Sequence, residues 1–245
     1  MNCQPWIKVL IYKCANINHS CLLCDETAEQ PYPLCVACEQ ELPWLSEYCL
    51  RCALPLPMAE LTCAQCSRRA PAFDQVVALW HYGFPADTLI SRFKHNRQWP
   101  LGRLMAEMLS HGLQHRYAEG LARPDLLLPV PLARRRQRER GFNQAGMLAR
   151  WLSMSLAINF NERLLQRTRD TPAQQSLDAK ARRRNLQRAF ALIEAGAFKG
   201  LHVAVVDDVL TTGATAQAIA TLLREAGARR VDVYCLARTA KPGQA

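Results

Sequence analysis

Eight cysteines in the first third of the chain limit its folding more than any other feature. They form four Cys-x2-Cys pairs, Cys21/Cys24, Cys35/Cys38, Cys49/Cys52 and Cys63/Cys66, with ten residues between each pair and the next. A Cys-x2-Cys turn sets two thiolates on one side of a tetrahedral ion, and a second turn on a facing hairpin closes a shell of four. Consecutive pairing, 21/24 with 35/38 and 49/52 with 63/66, is favoured over a crossed arrangement because short loops close at lower entropic cost. Each site is then complete, with no position for water, so its metal is structural. Disulfides are disfavoured because no secretion signal is recognisable, and a redox Cys-x2-Cys normally occurs once, at a strand-to-helix junction. Zinc is the reading, with an iron–sulfur cluster as the alternative. Prolines, acids and a few apolar residues such as Trp44, Leu45 and Leu56 fill the intervals, so metal binding supplies the folding energy. Cys3 and Cys14 have no assignment. Cys235 lies in the apolar run Val231-Asp-Val-Tyr-Cys-Leu236 and is expected in a buried strand.

The rest of the chain is long enough for a packed core: 245 residues in all, 49% hydrophobic and 21% charged. No apolar run approaches the roughly 20 residues of a membrane span, and Ile7 with Val9 to Ile11 is too short for a signal segment. The expectation is a cytoplasmic protein without membrane insertion. Charge is unevenly placed. The formal net charge is +10, yet residues 1–70 hold 5 basic and 7 acidic side chains, while residues 123–188 hold 15 and 5. That concentration suits an anionic partner, either a phosphorylated small molecule or nucleic acid; a solvated basic face is the bland alternative.

The stretch Leu201 to Ala220, LHVAVVDDVLTTGATAQAIA, carries the clearest chemistry. Val203 to Val206 is a central strand buried on both faces. Asp207 and Asp208 stand at its C-terminal end. Thr211-Thr-Gly-Ala-Thr215 then leads into a helix over about 214–226, ended by Gly227, and Val231 to Leu236 is the next parallel strand. A loop entering a helix N-terminus offers unpaired N–H groups and a favourable dipole to an anion. Gly213 lets the backbone come close, and the threonines add donors. The two carboxylates would repel phosphate, so they suit hydroxyl groups or a metal beside it. Ribose 5-phosphate has that layout. The Gly-x4-Gly-Lys loop is absent; an ordinary strand–helix turn with capping residues is the competing reading.

Asp125 to Val130 reads as another strand, followed by a loop containing Arg134, Arg135, Arg136, Arg138 and Arg140 and then an amphipathic helix through Leu148, Trp151, Leu152 and Leu156. Five guanidiniums beside a phosphate loop can neutralise a pyrophosphate. A strand is expected over 73–82 and helices over 86–95 and 101–115. His95, His111 and His115 read as surface helix histidines. Phe142 and Trp151 are the aromatic candidates for stacking bases in the basic stretch, Trp151 more naturally as core.

VAVVDDVLTTGATA resembles the phosphoribosyl pyrophosphate (PRPP) motif of type I phosphoribosyltransferases. The resemblance implies that Asp207 and Asp208 hold the ribose hydroxyls and that Thr211, Thr212, Gly213, Ala214 and Thr215 cradle the 5-phosphate. With RxRGFNQ at Arg138 to Gln144 and RTR-x-T-x2-Q at Arg167 to Gln174, the chain from about 21 to 239 resembles the ComF/GntX family, with GntX nearest in layout. That implies an α/β fold: a type I phosphoribosyltransferase-like parallel sheet flanked by helices over 71–245, preceded by a small Cys-rich double zinc ribbon over 21–70. Residues 1–20 are an N-terminal extension, read as a poorly ordered tail or the product of an upstream start codon. Arg134 to Arg140 would match the pyrophosphate loop, and 168–185 a mobile loop over the site. The implied role is support of DNA uptake or of extracellular DNA as a nutrient, with PRPP or another ribose phosphate as ligand. Single-stranded DNA and DNA-uptake proteins are the further partners. The implied cofactors are two structural Zn2+ and, for activity, Mg2+ with PRPP. The alternative is an active Mg-dependent phosphoribosyltransferase with an unidentified acceptor.

Overall fold

The computed structural model describes residues 19–58, 61–168 and 189–240. The expected tail, up to residue 18, lies outside them, as does the expected mobile loop apart from Thr168. The chain divides into two compact units, 1–42 and 43–245, so the division falls between the two Cys-rich ribbons.

In the first unit, β1 (His19–Ser20) pairs antiparallel with β2 (Thr27–Ala28), and a short helix α1 (Val36–Gln40) follows Cys35. The sulfurs of Cys21, Cys24, Cys35 and Cys38 all lie within 4.8 Å of one another. Cys21 Sγ accepts from Leu23 N at 3.5 Å and Cys35 Sγ from Cys38 N at 3.4 Å. In the second unit the sulfurs of Cys49, Cys52, Cys63 and Cys66 form a like group, with Cys63 N donating to Cys49 Sγ at 3.3 Å, and α2 (Ala64–Arg68) begins directly after Cys63. The groups are the consecutive ones. Four sulfurs about 2.3 Å from one tetrahedral zinc stand about 3.8 Å apart. The sulfurs of Cys24 and Cys35 are 3.6 Å apart and those of Cys52 and Cys63 3.7 Å, so both sets fit the ion.

The second unit is built on a parallel sheet. Its strands are β3 (Gln75–His81), β4 (Leu126–Pro129), β5 (Asn159–Phe160), β8 (His202–Val206) and β10 (Arg230–Arg238), in the order β3-β10-β8-β4-β5. An antiparallel pair, β6 (Leu165–Arg167) with β7 (Phe190–Leu192), stands apart, and β9 (Val209–Leu210) adds to β10. The helices are α3 (Ala86–Asn96), α4 (Trp99–Ala118), α5 (Arg134–Arg140), α6 (Gln144–Leu156) and α7 (Ala214–Glu225). All five residues of β8 are buried, as its continuous apolar run requires of a strand flanked on both sides. Alternation splits the strands between two cores. Val203, Val205, Val231, Val233 and Cys235 share one with Ile219 and Leu223 of α7 and with Cys49, Cys52, Cys63 and Cys66. The second metal group thus belongs to the hydrophobic core of the sheet. Cys235 is fully buried, which pushes its thiol up to about 12. Among the described residues no helix is long and apolar enough to cross a membrane.

Arg134 to Arg140, expected as a loop, is a short helix. Arg, Gln and Glu are good helix formers, and Arg135 pairs with Glu139 one turn on at 2.8 Å. Gly141 (φ +81) ends α5 in the left-handed region, and Asn143 caps α6 by accepting from Ala145 N at 3.1 Å. The RGFNQ element therefore also has a structural role, joining two helices.

The N-terminal edge of the sheet holds a buried polar cluster. His202 Nε2 meets Asp232 Oδ2 at 2.8 Å and its Nδ1 meets Arg123 O at 3.0 Å, while Arg230 Nε donates to both Asp232 oxygens at 3.1 Å. His202→Ala removes one partner from a fully buried carboxylate and is expected to cost about 3 kcal/mol, read by urea denaturation. The two metal groups differ in access. Cys24 is exposed and Cys35 and Cys38 half-buried, whereas all four cysteines of the second group are buried. A chromogenic chelator should therefore release zinc in two resolved phases, one equivalent each. Substituting Cys24 should abolish the fast phase, and a single phase of two equivalents would contradict this difference.

Candidate functional site

The sheet order reverses between β4 and β8. From β4 the chain passes outward to β5, and from β8 it passes the other way to β10. Loops at such a switch point diverge and leave a crevice outside the carboxyl ends of the strands. Val206 of β8 lies opposite Pro129 of β4, so the segments after both strands open onto this edge.

Asp207 and Asp208 follow Val206 directly. Asp207 N donates to Tyr234 O at 3.0 Å, which carries the strand pairing one residue further. Asp207 Oδ1 accepts from Asp208 N at 2.9 Å, and Asp208 Oδ1 accepts from Val209 N at 2.7 Å. These local bonds hold the two carboxylates close together. Burial, and then the neighbouring Asp208 charge, push Asp207 up to about 8. The other Asp208 oxygen is met by a residue from a distant helix: Lys94 Nζ of α3 stands 2.9 Å from Asp208 Oδ2, with side-chain exposures of 17% and 7%.

After β9, Thr211 and Thr212 are exposed and Gly213 turns the chain at φ +76, where α7 begins with Ala214 and Thr215. A side chain at Gly213 would be strained by its backbone alone. Thr212 Oγ1 accepts from Ala214 N at 3.3 Å. The next N–H groups, of Thr215 and Ala216, belong to the first turn and have no intrahelical carbonyl to serve. The base of this loop is pinned by Arg238 of β10, which is buried and donates from Nη1 to Leu210 O at 3.0 Å and also to Thr211 O.

The arginines do not converge as a block. Arg136 and Arg140 line a cavity of about 490 Å3 together with Glu139 and with Lys94, His95 and Arg97 from the end of α3. Arg134, Arg135 and Arg138 are exposed and do not line it. Phe142 sits between Phe93 and Trp99, with ring centroids at 5.6 and 6.5 Å, and Trp151 packs on Phe93 at 6.1 Å. His111 and His115 are exposed on α4, where His115 pairs with Glu119 at 3.4 Å.

Lys94 and Arg97 were not among the residues singled out from sequence, and His95 was read as a surface helix histidine. Basic residues at the end of a helix complement its dipole and read as solvated. The signal that could have found them is the tight cluster FKHNR itself, closed by Arg97 in the left-handed region at φ 54.

Residues 18–67 match the double zinc ribbon domain, and residues 140–244 match the phosphoribosyl transferase domain. Competence protein F of Haemophilus influenzae is 38% identical over 173 residues, 70% of this chain and 76% of that protein. The chain belongs to the competence protein F family. Another family member, the DNA utilization protein YhgH of Escherichia coli K12, is 38% identical over 70% of this chain and 75% of its own length. Competence protein ComFC of Streptococcus pneumoniae is 29% identical over 66% of this chain and 67% of its own. Among solved structures, glutamine PRPP amidotransferase from B. subtilis is 21% identical, covering 55% of this chain and 25% of that one, with a TM-score of 0.38. Adenine phosphoribosyltransferase from Leishmania tarentolae is 18% identical, covering 54% and 70%, with a TM-score of 0.36. The fold of this ComF-family chain is a type I phosphoribosyltransferase-like parallel sheet with a Cys-rich double zinc ribbon at its N-terminal side.

The raised Asp207 gives a pH-dependent expectation. Its carboxyl holds a proton more tightly folded than unfolded, so its penalty is absent below about pH 4, grows as pH rises, and is complete above about pH 8. Asp207→Asn should therefore raise the melting temperature at pH 8 in magnesium-free buffer by at least about 2 °C, the shift that ~1 kcal/mol produces in a chain of this size. The gain should vanish at pH 4. An equal gain at both values would contradict the assigned cause.

Proposed function

We propose that the chain binds a ribose 5-phosphate carrying a pyrophosphate, of the PRPP kind, at the carboxyl edge of its sheet, in support of DNA uptake or of the use of external DNA as a nutrient. One observation carries this reading. The acid pair at the end of β8 directly precedes the Gly213 turn and the first N–H groups of α7. Acceptors for vicinal hydroxyls and donors for a phosphate stand in succession along one short segment, as the ligand's own groups do. Asp207 and Asp208 take the ribose hydroxyls, and Thr211 to Thr215 take the 5-phosphate. Of the basic run, Arg136 and Arg140 have the placement to meet the pyrophosphate; Arg134, Arg135 and Arg138 lie outward. The physiological role rests on the relatives named for competence and DNA utilization. Thiolate ligands need a reducing compartment, which supports a cytoplasmic location.

The acid pair also suits Mg2+. Asp207 is pushed up by burial and by the neighbouring Asp208 carboxylate, a conflict a cation would relieve, and the donors are hard oxygens. Asp207 and Asp208 would hold the ion, which when bound would neutralise pyrophosphate charge. The chain's own part is to orient the ribose, fix the phosphate and spread charge over Arg136 and Arg140. These are positioning and electrostatic contributions that need no covalent nucleophile. Turnover would then require an acceptor held near the ribose. Single-stranded DNA and uptake proteins are the proposed macromolecular partners.

Calorimetric titration of the zinc-loaded protein with Mg-PRPP tests the reading. Micromolar affinity is expected in the native protein, weakened at least about tenfold in the Asp207→Asn/Asp208→Asn variant, since hydrogen bonds to charged groups contribute about 1.5–3 kcal/mol. Equal affinity in both proteins, or none in either, would refute it.

A further inference from the structure

The cavity beside the acid pair has an unusual charge inventory. Six residues line it, Lys94, His95, Arg97, Arg136, Glu139 and Arg140, and only one of them is acidic. Glu139 is already paired with Arg135. Among the described residues no carboxylate pairs with Arg97, Arg136 or Arg140. Arg97 reaches in across Gly141, where a side chain would come within 3.1 Å of its Nη2. Arg97 and Arg136 are exposed and Arg140 half-buried, so all three can meet an anion from solvent, which would offset their mutual repulsion. Lys94 is the exception. It lines the same cavity, yet its ammonium stands 2.9 Å from Asp208 Oδ2. One flexible cation thus borders both the acid pair and the anion cavity.

We propose that Lys94 is a counter-ion switch: a pyrophosphate group entering the cavity between α3 and α5 draws the ammonium away from Asp208, and the freed carboxylate oxygen becomes available to the sugar. The lysine stem has four rotatable carbons and carries a compact charge, so exchange between two partners on either side needs no backbone movement. The guanidiniums of Arg97, Arg136 and Arg140 supply directional donors, and Lys94 adds a charge that moves. Occupation of the cavity and readiness of Asp208 are then linked, and linkage is reciprocal: whatever weakens the hold of Asp208 on Lys94 strengthens the cavity's hold on the anion. Lys94 acts here as a positioning residue for Asp208 and as a ligand of the anion. The idea deepens the ribose-phosphate reading and depends on it for the role of the freed oxygen, while the anion cavity and the Lys94 exchange can be measured without any sugar.

The probe is inorganic pyrophosphate, titrated by calorimetry into the zinc-loaded full chain in magnesium-free buffer at fixed salt. Lys94→Met should weaken binding about tenfold or more, and Lys94→Arg should retain most of it, since one charge-assisted contact is lost in the first and kept in the second. Asp208→Asn should bind pyrophosphate at least about threefold more tightly, because Lys94 is released, and this gain should disappear in Lys94→Met/Asp208→Asn. Asp208→Asn is expected to weaken Mg-PRPP while tightening pyrophosphate, and a folding defect would not produce opposite signs. The switch is overturned if native protein does not bind pyrophosphate, if Lys94→Met leaves affinity unchanged, or if Asp208→Asn leaves it unchanged or lower. Loss of PRPP binding alone, with the pyrophosphate pattern intact, would instead count against the ribose reading.

Discussion

A single buried guanidinium ties the second ribbon, the sheet and the site loop together. Arg238, at the end of β10, is buried and meets the carbonyls of Cys52 at 3.0 Å, Leu210 at 3.0 Å, Thr211, and Thr239 at 2.8 Å. A charge in that position is tolerated only when its donors are filled. Here four backbone oxygens accept from Nε and Nη1, and among the described residues no carboxylate forms an ion pair with it. The arrangement specifies geometry more than it adds stability. Cys52 belongs to the second metal group, and Leu210 and Thr211 begin the turn that ends at Gly213. Metal coordination at one side of Arg238 and loop placement at the other are therefore parts of one rigid assembly. The Cys49 to Cys66 group shares its core with Val203, Val205, Val231 and Val233, so this ribbon reaches the strands themselves.

The topology explains why opposite charges gather at one edge. Every strand of the main sheet runs the same way, so each segment that follows a strand emerges at the carboxyl edge. The acids follow β8 and the arginine-rich α5 follows β4, its neighbour. Lys94 comes from α3, which follows β3 at the far edge, and still reaches Asp208. Lys94, Arg136 and Arg140 are thereby brought to the same edge as the two carboxylates. Either charge set alone would be a poor receptor for a phosphosugar, because acids repel phosphate and arginines offer nothing that accepts from a hydroxyl.

What could be read from sequence was local. The spacing of the cysteines dictated two four-sulfur groups, because a Cys-x2-Cys turn closes within four residues. The run Val203 to Ala220 dictated strand, acid pair, turn and helix, because buried β-branched residues, Gly213 and an alanine-rich helix follow in succession. What could not be read depended on distant packing. Lys94 meets Asp208 across more than a hundred residues of chain, and no periodicity reports such a contact. The helical state of Arg134 to Arg140 was hidden because a block of like charges reads as loop, whereas the Arg135–Glu139 pair and the Gly141 cap supply the local support it needs. The boundary between compact units was hidden for a related reason. The four Cys-x2-Cys pairs look equivalent in sequence, yet Cys49 to Cys66 are surrounded by sheet residues that enter the chain later.

Two features of this edge bear on its use. Asp207 is pushed up to about 8 beside a second acid, and three arginines line a cavity whose one carboxylate, Glu139, pairs with Arg135. The raised Asp207 is a local conflict, and conflicts of this kind are commonest where function requires them. A ligand with hydroxyls at one end and a pyrophosphate at the other relieves both together, because it brings donors to the acids and negative charge to the arginines. A simple anion relieves only one. Lys94 neutralises Asp208, while Asp207, pushed up to about 8, keeps its proton near neutral pH. The proposed sugar phosphate matches this charge pattern, with Lys94 standing between the acids and the arginines.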